Sequence, residues 1–142
     1  MLSAFRSEAV EFIIVGGYAV AAHGYPRATG DIDLWVRPSL ENSKKIYRAL
    51  EKFGALLSDL RDDYFSVPDQ IFQIGLPPSR IDIISGVEAL GFDEAWAGKF
   101  ELEVEGVKVW MLSKKDLMIN KAALKRPKDR IDLEWLKESE AD

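Results

Sequence analysis

Residues 12–36 read FIIVGGYAVAAHGYPRATGDIDLWV, and this stretch decides the fold. Its first four residues are β-branched or aromatic and stop at Gly16-Gly17, which predicts a buried strand ending in a tight turn. Tyr18 to His23 is rich in alanine and predicts a short helix, with Gly24 and Pro26 as its stop. After the loop Tyr25 to Gly30, the run Asp31-Ile32-Asp33-Leu34-Trp35-Val36 alternates as a strand does, and Pro38 ends it. Side chains two apart on a strand share a face. Ile32, Leu34 and Val36 therefore lie on one side, and Asp31, Asp33 and Trp35 on the other.

Outward from this stretch the pattern continues to alternate between helix and strand. Leu2 to Glu11 has apolar positions at helical spacing. Ser39 to Phe53 reads as an amphipathic helix with Ser39 as N-cap, Ile46, Tyr47, Leu50 and Phe53 as its buried stripe and Gly54 as its stop. Ile71 to Gly75 and Arg80 to Ser85 read as two short strands, either a hairpin or a nearby pair. The second places Ile81 and Ile83 toward a core and Asp82 on the other side with Arg80. Phe92 to Gly98 predicts a helical turn, and Phe100 to Val104 with Val107 to Leu112 predicts a hairpin around Glu105-Gly106. Ser113 opens a helix with Asp116 at its third position, and Pro127 opens a second one. The expectation is a single domain over 1–142, with a core of about 1–112 and C-terminal helices of about 113–142.

Composition removes several classes of function. Hydrophobic residues make up 47% and charged residues 30%, which suits a folded chain. Cysteine is absent, which excludes disulfides, thiolate metal sites and cysteine nucleophiles, and points to a cytoplasmic protein. No apolar run approaches the ~20 residues that span a bilayer, and no leader segment is visible, so no membrane partner is expected. The net charge of −5 disfavours a protein that grips long nucleic acid through many phosphates. The basic run from Lys114 to Arg130 is either a local patch or a solvated helical face. His23 is the single histidine, which rules out a Ser-His-Asp triad or a multi-histidine metal site; it reads as a helix-end residue or a phosphate contact.

Asp31, Asp33 and Asp82 carry the chemistry. Two carboxylates on one strand face are about 6 to 7 Å apart at their Cα atoms and repel, so something positive is expected to compensate. The pair can instead lie on a solvated strand end, and Arg80 can pair with one of the acids. A divalent cation accounts for all three together: Mg²⁺ takes oxygen ligands, usually a few carboxylates plus substrate phosphates. Two such ions about 3.5 to 4 Å apart stabilise both the attacking and the leaving oxygen of a phosphoryl displacement. Gly16 and Gly17, at the start of a helix, offer backbone N–H groups to a triphosphate.

Val15-Gly16-Gly17, thirteen further residues and then Asp31-Ile32-Asp33-Leu34 resemble the signature of the polymerase-beta-like nucleotidyltransferase superfamily. The resemblance extends to Arg27 and Thr29, and to Lys121, Arg126, Lys128, Asp129 and Asp132, which look like those of small prokaryotic members, some of them associated with toxin-antitoxin pairs. It implies an α/β (α+β) fold, a mixed sheet flanked by helices, with two short C-terminal helices. It implies Asp31, Asp33 and Asp82 as catalytic metal ligands for two Mg²⁺ (or Mn²⁺) ions. Gly16, Gly17, Arg27, Thr29 and Lys121 become nucleotide contacts. The implied reaction moves a nucleoside monophosphate from a nucleoside triphosphate to a hydroxyl of RNA, protein or a small molecule, releasing pyrophosphate. The alternative is an antitoxin-like or regulatory nucleotide-binding subunit acting through a partner protein encoded nearby.

Several residues keep two readings. Arg27 is a phosphate clamp or a surface ion pair, and Lys121 a triphosphate contact or a solvent-facing lysine. Trp35 stacks on a base or packs against the sheet edge. Asp129 and Asp132, at i and i+3, read as surface partners of Lys125 or Lys128 rather than metal ligands.

Overall fold

The computed structural model describes residues 1–24, 31–76 and 79–140. In chain order the elements are α1 (Leu2–Ser7), β1 (Phe12–Val15), α2 (Gly16–Ala22), β2 (Ile32–Val36), α3 (Leu40–Phe53), β3 (Ile71–Ile74), β4 (Ile81–Ile84), α4 (Phe92–Gly98), β5 (Phe100–Val104), β6 (Val107–Met111), α5 (Lys114–Leu124) and α6 (Pro127–Glu140), with a 3-10 turn at Tyr64–Ser66. The mixed sheet flanked by helices is as the sequence predicts. Its strand order is β3-β4-β2-β1-β6-β5. β1 runs antiparallel to β2 and parallel to β6, while β2 runs parallel to β4. The antiparallel pairs β3–β4 and β5–β6 close the two sides.

The central strand β1 is buried on both faces, so its four residues form a continuous apolar run rather than an alternating one. Phe12 and Ile14 stand opposite Val36 and Leu34 on one face, and Ile13 and Val15 opposite Trp35 and Asp33 on the other. Phe5 of α1 meets Phe12 edge-on and α1 packs on α3, which places those helices over the first face. Phe92 of α4 meets Trp35 edge-on, which places α4 on the face that carries the acids.

The caps explain where helices begin and stop. Ser39 accepts a hydrogen bond from the Asn42 N–H at 3.1 Å, and Ser113 accepts one from the Asp116 N–H at 3.1 Å. Gly54 ends α3 in the left-handed conformation that glycine tolerates (φ 89°). Helix α1 is shorter than its apolar spacing predicts. It ends at Ser7 because Ala9 turns left-handed and the Val10 N–H reaches back to the Phe5 carbonyl at 3.0 Å, which turns the buried Val10 toward the sheet. Phe53 belongs to the α3 stripe but is 43% exposed, at the last turn beside Met1 and Leu2; Asn42, Ser43 and Ala49 join Ile46 and Leu50 on the buried face. Among the described residues no helix is long and apolar enough to cross a membrane.

Candidate active site

The parallel pairing of β2 with β4 sets Asp33 directly beside Asp82. Main-chain ladders fix that register, so the two carboxylates are brought together by the sheet and not by side-chain choice. Just ahead of β4, the Arg80 carbonyl accepts from the Ile32 N–H at 3.0 Å, and the Arg80 N–H donates to Asp31 Oδ1 at 3.0 Å. Opposite Asp33, β1 ends at Val15 and the chain turns into α2. Gly16 takes φ +70°, and a Cβ there would lie 2.1 Å from Oδ2 of Asp33. No side chain fits between them. The glycine is required both by backbone conformation and by the carboxylate packed against it.

This arrangement is electrostatically costly. Burial first, and then the charge of Asp82 and a side-chain hydrogen bond with it, push the Asp33 pKa from 3.8 up to about 6; Arg80 opposes the shift. Arg80 is the local counter-charge. Its Nε donates to Asp82 Oδ1 at 2.8 Å and its Nη2 to Asp82 Oδ2 at 3.1 Å, a bidentate fork, with Nη2 also 4.0 Å from Asp31 Oδ2. The ion-pair reading of Arg80 is thus realised in the structure.

The opposite wall comes from α5 and α6. Lys125 turns left-handed (φ 59°) at the end of α5, and α6 folds back on α5. Asp129, Asp132 and Leu136, at helical spacing, then point inward and are all buried. Lys121, also buried, holds Asp129 Oδ1 at 3.2 Å and Asp132 Oδ2 at 3.1 Å. Arg126 binds Asp129 by a second fork at 2.5 and 3.1 Å, and its exposed guanidinium stands at the cleft with Lys128. Burial raises the Asp129 pKa, but the hydrogen bonds from Arg126 and Lys121 outweigh it and hold the carboxyl below the usual range.

Between the walls is a cleft of about 320 Å³ that brings together Gly16, Gly17, Asp31, Asp33, Asp82 and Lys121 of the expected residues. A groove of similar size, about 370 Å³, lies between Met1, Tyr18 and Phe53; its walls carry one acid, Glu105, so the polar chemistry belongs to the cleft. Arg27 and Thr29 lie outside the described residues. Two sequence readings are corrected. Asp129 and Asp132 are not surface partners of Lys125 or Lys128, and Lys121 does not face solvent, because the fold-back of α6 buries all three as one ion-paired group. Trp35 packs: it is 1% exposed and lies against Phe92. His23 ends α2 with Nε2 3.2 Å from the Leu112 carbonyl, away from a phosphate role. Arg80 was not singled out as a site residue from sequence, and Arg126 and Lys128 entered only with the family resemblance, without a role. Their signal was present, since Arg80 shares a strand face with Asp82 and the other two lie in the basic run.

Two solved structures share the fold over most of their length. A protein of Thermotoga maritima described as a candidate nucleotidyltransferase is 18% identical with a TM-score of 0.63, the match covering 96% of this chain and 88% of that one. The lincosamide antibiotic adenylyltransferase LnuA, solved with lincomycin bound, is 16% identical with a TM-score of 0.55, covering 96% and 91%. At these identities the likeness is one of fold. No curated protein matches the chain by sequence. The family described as "Nucleotidyltransferase of unknown function (DUF6036)" matches residues 3–140, and the chain, with its paired aspartates beside a glycine turn, belongs to that nucleotidyltransferase family.

Proposed function

We propose that the chain moves a nucleoside monophosphate from a nucleoside triphosphate to an acceptor hydroxyl, and that Asp31, Asp33 and Asp82 carry the reaction. The observation that supports this most is the pairing of Asp33 with Asp82 beside Gly16, two carboxylates set side by side by the sheet register at a polar cleft. Carboxylates set this close together favour a cation between them.

The donor set fits Mg²⁺ or Mn²⁺ in chemistry, since all three groups are hard carboxylate oxygens. Among the described residues no three acids are gathered closely enough to hold an ion as they stand, and Arg80 engages both oxygens of Asp82. When bound, such ions neutralise charge on the attacking and leaving oxygens. The chain's residues supply the rest. The acceptor oxygen attacks the α-phosphorus, the bond from that phosphorus to the bridging oxygen breaks, and pyrophosphate leaves with that oxygen. The hydroxyl proton passes to Asp82. Gly16 and Gly17 let the triphosphate approach the backbone, and Arg126 and Lys128 meet its charge from the opposite rim. Lys121 acts from behind them, by fixing Asp129 and through it Arg126. Arg27 and Thr29 belong to this reading as nucleotide contacts. RNA, protein and small-molecule hydroxyls are the acceptor classes, and a partner protein encoded nearby is a candidate among them.

The test is a transfer screen with labelled nucleoside triphosphates and Mg²⁺ or Mn²⁺, with and without the protein encoded beside this one, run together with a nucleotide titration. Asp82→Asn is expected to bind nucleotide within a few-fold of wild type and to lose transfer by a factor on the order of 10² or more, as when a transition-state interaction is removed. Full transfer by Asp82→Asn removes that residue from the mechanism. A wild type that binds nucleotide and modifies no acceptor in either condition supports the regulatory subunit instead.

A further inference from the structure

Arg80 is placed where a metal ion in the proposed reading would have to work. Its fork takes both carboxylate oxygens of Asp82, at 2.8 and 3.1 Å, and the same guanidinium lies 4.0 Å from Asp31 Oδ2. Its backbone is pinned as well, by the bond from its N–H to Asp31 Oδ1 and the bond its carbonyl receives from the Ile32 N–H. The side chain is 31% exposed against 11% for Asp82, so the pair is shielded on the acid's side and open on the arginine's. A guanidinium cannot lose its charge in water, so it does not leave by deprotonation. A second cation that takes Asp82 therefore has to displace it as a charged group.

We infer that Arg80 is a tethered counter-cation that competes with divalent metal for Asp82 and Asp31, and so sets the metal affinity of the free site. The inference rests on the metal reading proposed above. In the free protein the fork neutralises an acid group that would otherwise repel itself, and keeps the carboxylates in place. It also makes the site a poor trap for a lone ion, because every ion that enters must first break a bidentate, charge-assisted pair. The two anchored backbone bonds keep the displaced side chain at the cleft. Arg80 is therefore a positioning residue whose loss strengthens metal binding, the opposite of what removing a ligand or a purely structural residue does.

The experiment measures Mn²⁺ alone, by calorimetry or by the resonance signal of the free ion, on wild type, Arg80→Ala, Arg80→Lys, and Asp33→Asn both alone and in the Arg80→Ala background. Melting curves accompany each, to establish that the variants are folded. Arg80→Ala is expected to bind Mn²⁺ on the order of tenfold more tightly than wild type, the scale of one charge-assisted hydrogen-bonded contact. Arg80→Lys keeps the charge but not the fork, and is expected to fall between; if Arg80→Ala does not fold, this variant decides alone. Adding Asp33→Asn is expected to remove the gain. Equal or weaker Mn²⁺ binding by the folded Arg80 variants, with binding by wild type still sensitive to Asp33→Asn, overturns the inference and leaves the metal reading standing. Tighter binding that survives Asp33→Asn places the ion elsewhere and overturns the inference. Failure of wild type and every variant to bind Mn²⁺ overturns the metal reading and the inference with it.

Discussion

Asp33 must ionise in a half-buried position beside another carboxylate, and its pKa rises from 3.8 to about 6. A raised pKa means that the folded chain holds the proton more tightly than the unfolded one. The associated stability is fully present below about pH 4 and is lost as pH rises through about 6. Asparagine does not titrate. Asp33→Asn is therefore expected to gain on wild type across that window, reaching an advantage of roughly 1 to 3 kcal/mol at pH 7 and staying level above it. Urea unfolding of both proteins at pH 4, 5, 6 and 7 checks this, and a difference that does not vary with pH refutes it. The acids themselves were legible in the sequence, because a carboxylate inside an apolar strand run is conspicuous and the strand period assigns it a face. The crowding was not. It depends on β2 and β4 being parallel neighbours in one register, which two short apolar runs do not specify.

At the level of elements, the turn from α5 into α6 is held by a buried charge group. Lys121 serves two carboxylates at once, while Asp129 has a second cation in Arg126. Removing the lysine strands buried negative charge. Lys121→Met is expected to cost about 3 to 5 kcal/mol, the scale of breaking a buried ion pair from one side, visible as a fall in the urea midpoint. Lys137→Ala, at an exposed position on α6, is expected to stay within about 0.5 kcal/mol. A loss below about 1 kcal/mol for Lys121→Met means that the acids find other partners. Helical spacing made α5 and α6 predictable, and Ser113 and Pro127 marked their starts. Their mutual packing was hidden because polar residues fill the contact: Lys121, Asp129 and Asp132 look like a solvated face until the fold-back makes them an interior.

For the molecule as a whole, Leu117 and Leu136 of the C-terminal helices join the same core as β1, β2 and β6. We take residues 1–142 as one cooperative domain, and thermal unfolding is expected to give coincident midpoints by backbone and aromatic circular dichroism. Two separated transitions would divide the C-terminal helices from the sheet. The layer order of the fold was readable from its alternating elements, but the order of strands within the sheet was not. Neighbours in the sheet are often distant in the chain, and no local pattern records them. The pairing of Ile14 with Met111 has a consequence in time. β1 is made before β6, as a run of four apolar residues, and lacks its partner on one side until Met111 has been made. At about 5 to 20 residues per second, that is a wait of roughly 5 to 20 seconds. This fully buried strand is thus left open on one side while the residues between it and its partner are made, and the nascent chain is most exposed to mispairing throughout that interval.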